Sequence, residues 1–294
     1  MRPRLALALT IFCIALTSIL MPGLARAQAA TGTMNVERLR GSELEAGWAA
    51  QLSLNAAYAT GNIESVNLGG SGALHYVRLF ADPVEPASEA DPDEPCEDPP
   101  KALVHARDHT FFAVSGGWAR INESVWLNNA FAHLRHTHWF IPEFGFDAFA
   151  QIQHNDITAL NRRILAGAGV RVDAIYERMG TLAFGTAYMA EWEENEIPAG
   201  GVHPVSPLNH RWTSYVTAHL ELADGKLVIS DTLYIQPRFD SFSDFRVLNE
   251  FDLQVAINDH FSLGLAVRVR HDSRPPDEVK PTDLQFTNSI RVSL

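Results

Sequence analysis

The sequence predicts an all-β fold, a membrane-spanning antiparallel up-and-down β-barrel of about 12 strands, on three observations. Apolar and polar residues alternate with the period of a strand, over segments longer than the five or six residues common in globular proteins. The alternation runs from residue 46 to residue 294. The first 27 residues carry an export signature, and no later stretch is apolar enough for a membrane helix.

Arg2 and Arg4 precede an apolar run from Leu5 to Leu20, followed by Pro22, Gly23 and Ala25-Arg26-Ala27. Positive, then apolar, then small-x-small is the order of a secretory signal peptide, here cleaved before Gln28. The run is about 16 residues, short of the roughly 20 that a bilayer-crossing helix needs. Removing residues 1–27 leaves 267, and the loss of Arg2, Arg4 and Arg26 with no acid takes the formal charge from −12 to −15. That balance opposes phosphate contacts and excludes nucleic acid as a partner. Cys13 lies inside the apolar run and lacks the small residues that precede a lipid-modified cysteine, so Cys96 is the single mature cysteine and no internal disulfide forms. Residues 28–45 read as an N-terminal linker to a barrel over 46–294.

The alternation divides into strands at 46–59, 63–79, 106–120, 124–137, 142–154, 162–176, 180–193, 210–222, 226–239, 244–257, 260–271 and 282–294. In the last, Leu284, Phe286, Ile290 and Val292 oppose Asp283, Gln285, Ser289 and Arg291. Phe261, Leu263, Leu265, Val267 and Val269 likewise oppose Ser262, Gly264, Ala266, Arg268 and Arg270. Successive side chains of a strand point to opposite faces, so each segment has one oily and one wet side. A sheet in hydrocarbon must close on itself, because each unpaired backbone group there costs several kcal/mol. Trp48, Tyr58, Tyr76, Trp118, Tyr176, Trp192, Trp212 and Phe261 sit near strand ends, where the aromatic girdles of such a barrel lie.

Short connections at 177–179, 223–225 and 258–259 read as periplasmic turns, and longer ones at 194–209, 240–243 and 272–281 as external loops. Residues 80–105 break this asymmetry. They are Pro-rich and carry eight acids before the first base, Lys101, which predicts a solvated, self-repelling loop and matches no calcium-binding spacing.

Several landmarks occur in a fixed order: Trp48 before an alternating strand, the turn Thr60-Gly61-Asn62, Arg163 leading to Gly167-x-Gly169, Asp244-Phe245-Arg246, Asp272-Ser273-Arg274-Pro275-Pro276 and Asp283. Together they resemble the salt-induced outer-membrane protein family, also called domain of unknown function 481, over residues 46–294. The acidic insertion at 80–105 and a final Leu294 in place of an aromatic depart from that pattern. The resemblance implies an integral barrel of the Gram-negative outer membrane, connected with the envelope's response to salt, and no catalytic residues.

Three sets of residues are candidates for a site. The lumen-facing charges are Arg163, Arg171, Asp173, Glu191, Arg211, Glu221, Arg238, Arg246, Glu250, Asp252, Arg268, Arg270 and Arg291, which either fill the barrel as a paired network or line a narrow passage for a small solute or ion. His133, His136 and His138, with His105 and His109 near them, form a histidine set without the carboxylate or cysteine spacing of a metal site. His271 and Ser273 share a strand face and resemble the base and nucleophile of outer-membrane lipid acyl hydrolases, but Pro275-Pro276 ends the strand there. The reading is therefore a non-enzymatic structural barrel or passive pore, without metal or cofactor, whose partners are outer-membrane lipid and the barrel assembly machinery. A lipid acyl hydrolase and a secreted soluble β-sandwich that binds a ligand are the alternatives.

Overall fold

The computed structural model describes Asn35, Glu37 and residues 46–61, 64–80, 105–177, 179–258 and 260–292. Residues 1–27, where a signal peptide is expected, most of 28–45, the acidic segment 81–104 with Cys96, and Leu294 lie outside the described residues.

Twelve strands follow in chain order: β1 (Gly47–Ala59), β2 (Ser65–Leu79), β3 (Ala106–Ile121), β4 (Ser124–Ile141), β5 (Phe144–Asn155), β6 (Leu160–Glu177), β7 (Gly180–Asn195), β8 (Leu208–Leu222), β9 (Leu227–Pro237), β10 (Phe245–Ala256), β11 (Phe261–Asp272) and β12 (Thr282–Val292). Each pairs antiparallel with the next, so the order in the sheet is the order in the chain. This is the all-β up-and-down arrangement that the alternation predicts. Its largest boundary difference is in β4, which runs on to Ile141 because the alternation continues through Trp139 until the Pro142-Glu143 turn. Among the described residues the ladder ends at β1 and β12.

The sheet is rolled. Adjacent strands lie about 4.8 Å apart, so β4 and β8, four intervals away, would be about 19 Å apart in a flat sheet. Yet the guanidinium carbon of Arg135 on β4 lies 5.5 Å from the ring centre of Tyr215 on β8. At the far rim Asp277, between β11 and β12, accepts from the backbone N–H of Val202 (2.9 Å) and of His203 (2.7 Å), between β7 and β8. Register shifts near strand ends, such as Arg78/Leu79, Trp139/Ile141 and Asp173/Ile175, supply local bends. The last of these corrects one expectation: past the bulge Tyr176 pairs with Thr181, leaves the outward face, and packs its ring 4.4 Å from that of His105.

Small residues let the inner wall fill. A methyl at Gly169 would stand 2.1 Å from the Thr186 carbonyl oxygen, and one at Gly185 would stand 2.1 Å from the Tyr215 ring. The close approach of β6 to β7 and the position of Tyr215 both depend on these glycines.

The polarity of the roll is inverted relative to a soluble protein. Arg211 and Arg268 are each 2% exposed and Glu191 1%, whereas Leu134 on the outer face is 48% and Ile152 47% exposed. Buried apolar groups on the inner face are few and separate; the largest sets are Tyr215 with Tyr234 and Leu248, and Val77 with Ala106 and Trp139. No helix among the described residues is long and apolar enough to cross a membrane, which says nothing of strands.

Candidate functional site

Strand parity puts most of the charged residues named above on the inner face, where they separate into three groups. The first gathers on β6, β7, β8, β10 and the ends of β9 and β11. Glu191 accepts from Arg211 Nε (3.0 Å) and Arg246 Nη1 (2.7 Å) and lies 3.3 Å from Arg163 Nε. Glu193 accepts from Arg246 Nη2 (2.8 Å) and from Arg163. Arg211 Nη2 donates to Asp244 (3.1 Å), Arg238 Nη1 to the same carboxylate (3.0 Å), and Arg246 Nε to Asp272 (2.7 Å). Four guanidiniums thus meet four carboxylates, and the group is balanced. At its exposed margin Arg238 also donates to both oxygens of Asp240, and this hydrogen bonding holds the Asp240 carboxyl below the usual carboxylate range.

The second group joins β4, β5, β6 and β8 to the segment before β1. Arg135 Nη2 donates to Asp147 (2.8 Å) and Arg171 Nε to Asp173 (2.8 Å). Trp139 Nε1 donates to Asp173 (2.6 Å), and Arg171 Nη1 to the Tyr215 hydroxyl (2.9 Å). Arg135 Nη1 also donates to Glu37 Oε1 (2.7 Å), and Arg171 Nη1 donates to Glu37 Oε2. Beside this group lies a cavity, partly open to solvent, whose walls include His133, Arg135, Phe149, Met189, Tyr215 and Tyr234.

The third group is looser. Asn35 Nδ2 donates to Glu250 (3.1 Å), Arg270 Nη2 to the other Glu250 oxygen (3.4 Å), and Arg268 lies 3.5 Å from Glu250 and 3.8 Å from Asp252. Two residues of the set stand apart from all three groups. Glu221, one residue from the end of β8, is half exposed and bonded to His219 (3.1 Å). Arg291 shares its face with Ser262 by register but is exposed, because β12 is a terminal strand of the ladder.

The histidines do not form the one set considered from sequence. A spacing of three residues changes the face of a strand, so His133 points inward and His136 and His138 outward. Inside, His75 and His109 are hydrogen-bonded (3.1 Å), and His133 pairs with Gln151 (3.1 Å). Outside, His138 pairs with Asp108 (2.7 Å) and His136 with Thr110 (2.8 Å), near the tilted ring pair Trp48–Tyr76. His271 and Ser273 are likewise not brought together as base and nucleophile. His271 faces outward and bonds Thr282 (2.9 Å), while Ser273, beyond the end of β11, donates to the Ser243 carbonyl (3.0 Å) and accepts from Phe245 N–H (2.8 Å).

The lumen-facing set read from the sequence omits Glu37, Arg135, Asp147, Glu193 and Asp244, although Glu193 alternates onto the polar face with Glu191 and Asp244 is one of the ordered landmarks. Arg135 was legible in principle, since it shares the parity of His133, and Asp147 that of Gln151. Glu37 had no such signal, since residues 28–45 carry no strand period.

Comparison with the curated proteins finds no match. Among solved structures, that of the porin NanC is similar to this chain with a TM-score of 0.39 and 7% identity, over 82% of this chain and 100% of that one. A family model described as a protein of unknown function, DUF481, matches residues 119–293, from the end of β3 through β12. That is more than half of the chain, the same family that the ordered landmarks resemble, and the protein is a member of it.

Proposed function

We propose that this protein is an integral β-barrel of the Gram-negative outer membrane, closed by β1 against β12, acting as a structural barrel or narrow passive pore and not as an enzyme. One observation carries the reading: large apolar side chains cover the outside of the roll while arginines and carboxylates are buried inside it. In water that arrangement is unfavourable on both faces; in a bilayer each face meets the solvent it suits. On this reading the partners are membrane lipid outside, the barrel assembly machinery during insertion, and a small solute or ion within. The separate hydrogen-bonding roles of His271 and Ser273 support the non-enzymatic half.

The folded barrel should migrate differently on a denaturing gel before and after boiling, and should pass a small steady current in planar bilayers. Unchanged mobility together with recovery in the soluble periplasmic fraction would sink the membrane reading. A shifted band without current would keep the scaffold and remove the pore. The family resemblance adds a role in the envelope's response to salt. A deletion strain that tracks its parent through a shift to high salt would remove that role and leave the barrel.

A further inference from the structure

We propose that Arg135, Arg171 and Tyr215 form a binding site for a small organic monocarboxylate, and that the Glu37 side chain occupies this site in cis. The inference rests on the reading of the inner face as an enclosed lumen. Each arginine spends one arm on a carboxylate of the barrel wall, Arg135 Nη2 on Asp147 (2.8 Å) and Arg171 Nε on Asp173 (2.8 Å). The remaining Nη1 groups converge on a single carboxylate, one on each of its oxygens. Two guanidiniums serving the two oxygens of one group is the geometry of carboxylate recognition. Glu37 belongs to none of the twelve strands, so the ladder that fixes Arg135 and Arg171 does not fix their occupant.

Two further features point to a ligand larger than a glutamate side chain. Among the described residues, His133 Nε2 and Arg135 Nε are buried polar atoms without a hydrogen-bond partner, and both residues line the adjoining cavity. Phe149, Tyr215 and Tyr234 give that cavity apolar walls beside the polar clamp. Charge selects the class of ligand. Asp147 and Asp173 already balance the two arginines, so every charge on the occupant is excess in a buried place; a monocarboxylate, like Glu37, brings one such charge and a phosphate dianion brings two.

The test is calorimetric titration of sodium acetate, then sodium phosphate, into the full chain in detergent, with the fold of each variant read from its heat-dependent gel mobility. Removing a cis occupant that fills the site nine-tenths of the time should tighten the apparent acetate affinity about ten-fold. Glu37→Ala should show that gain, and the isosteric Glu37→Gln should move the same way if the alanine variant does not fold. Adding Arg171→Lys to either should abolish the gain, because an ammonium cannot keep both the wall contact and the clamp contact. Phosphate should show no gain.

Equal acetate affinity with and without Glu37, or a gain that survives Arg171→Lys, overturns the site. A phosphate gain equal to that of acetate overturns the monocarboxylate assignment. Bilayer current is read separately: an acetate gain without current sinks the pore and keeps the site, and current without an acetate gain does the reverse.

Discussion

Leu134→Arg is expected to destabilise the folded protein by about 2–4 kcal/mol, the penalty of an arginine near the midplane on the lipid face of a barrel. Leu134 lies mid-strand on β4, between Phe112 of β3 and Ala150 of β5, with 48% of its surface uncovered. If water covered that face, the same substitution would change stability by no more than about 0.5 kcal/mol. Urea titration of the protein reconstituted in lipid vesicles separates the two cases. Phe140→Arg gives the depth control, since Phe140 lies on the same outward face of β4 but one residue from the strand's end. There the cost should fall to about 0–1 kcal/mol, as it does for barrel positions near the interface. A small change at both positions would mean that the oily face is bathed in water.

Glu191→Ala should cost about 3–5 kcal/mol, because removing one partner of a buried ionic group leaves the others uncompensated. Arg163, Arg211 and Arg246 all lie within 3.3 Å of its carboxylate, and none of them reaches solvent to any useful extent. Asp240→Ala removes a carboxylate that also pairs with arginine but stands in solvent, and its loss should be far smaller than that of Glu191→Ala. The same urea titration compares them. Similar losses at the two sites would show that the Glu191 network is not shielded from water.

The alternation in the sequence makes strand number, strand direction and the facing of nearly every side chain legible, because period two survives wherever one side of a sheet is oily and the other is not. What it cannot convey is which side chains on one face reach each other across a curved wall. Arg246 and Glu193 stand on β10 and β7, yet they bond only because the sheet rolls. Period also fails wherever a single residue is added to a strand, as Tyr176 shows beyond its bulge. Nor does parity say how full a polar face is: Leu248, Met189 and Phe111 are buried among the charged groups. Glu37 was illegible for a different reason, since a segment with no regular period reveals its location only through contacts made in three dimensions.

The even number of strands constrains the chain's end as firmly as its middle. β1 and β12 run in opposite directions, so the first and last strands can meet in the same way as every other neighbouring pair. A chain that stopped before Thr282 would offer β11 to β1 instead. Those two travel the same way, and their union would require the slanted, weaker bonds of a parallel seam. A premature stop in the final codons would therefore not merely shorten the wall by one stave; it would change the kind of joint that the proposed closure requires.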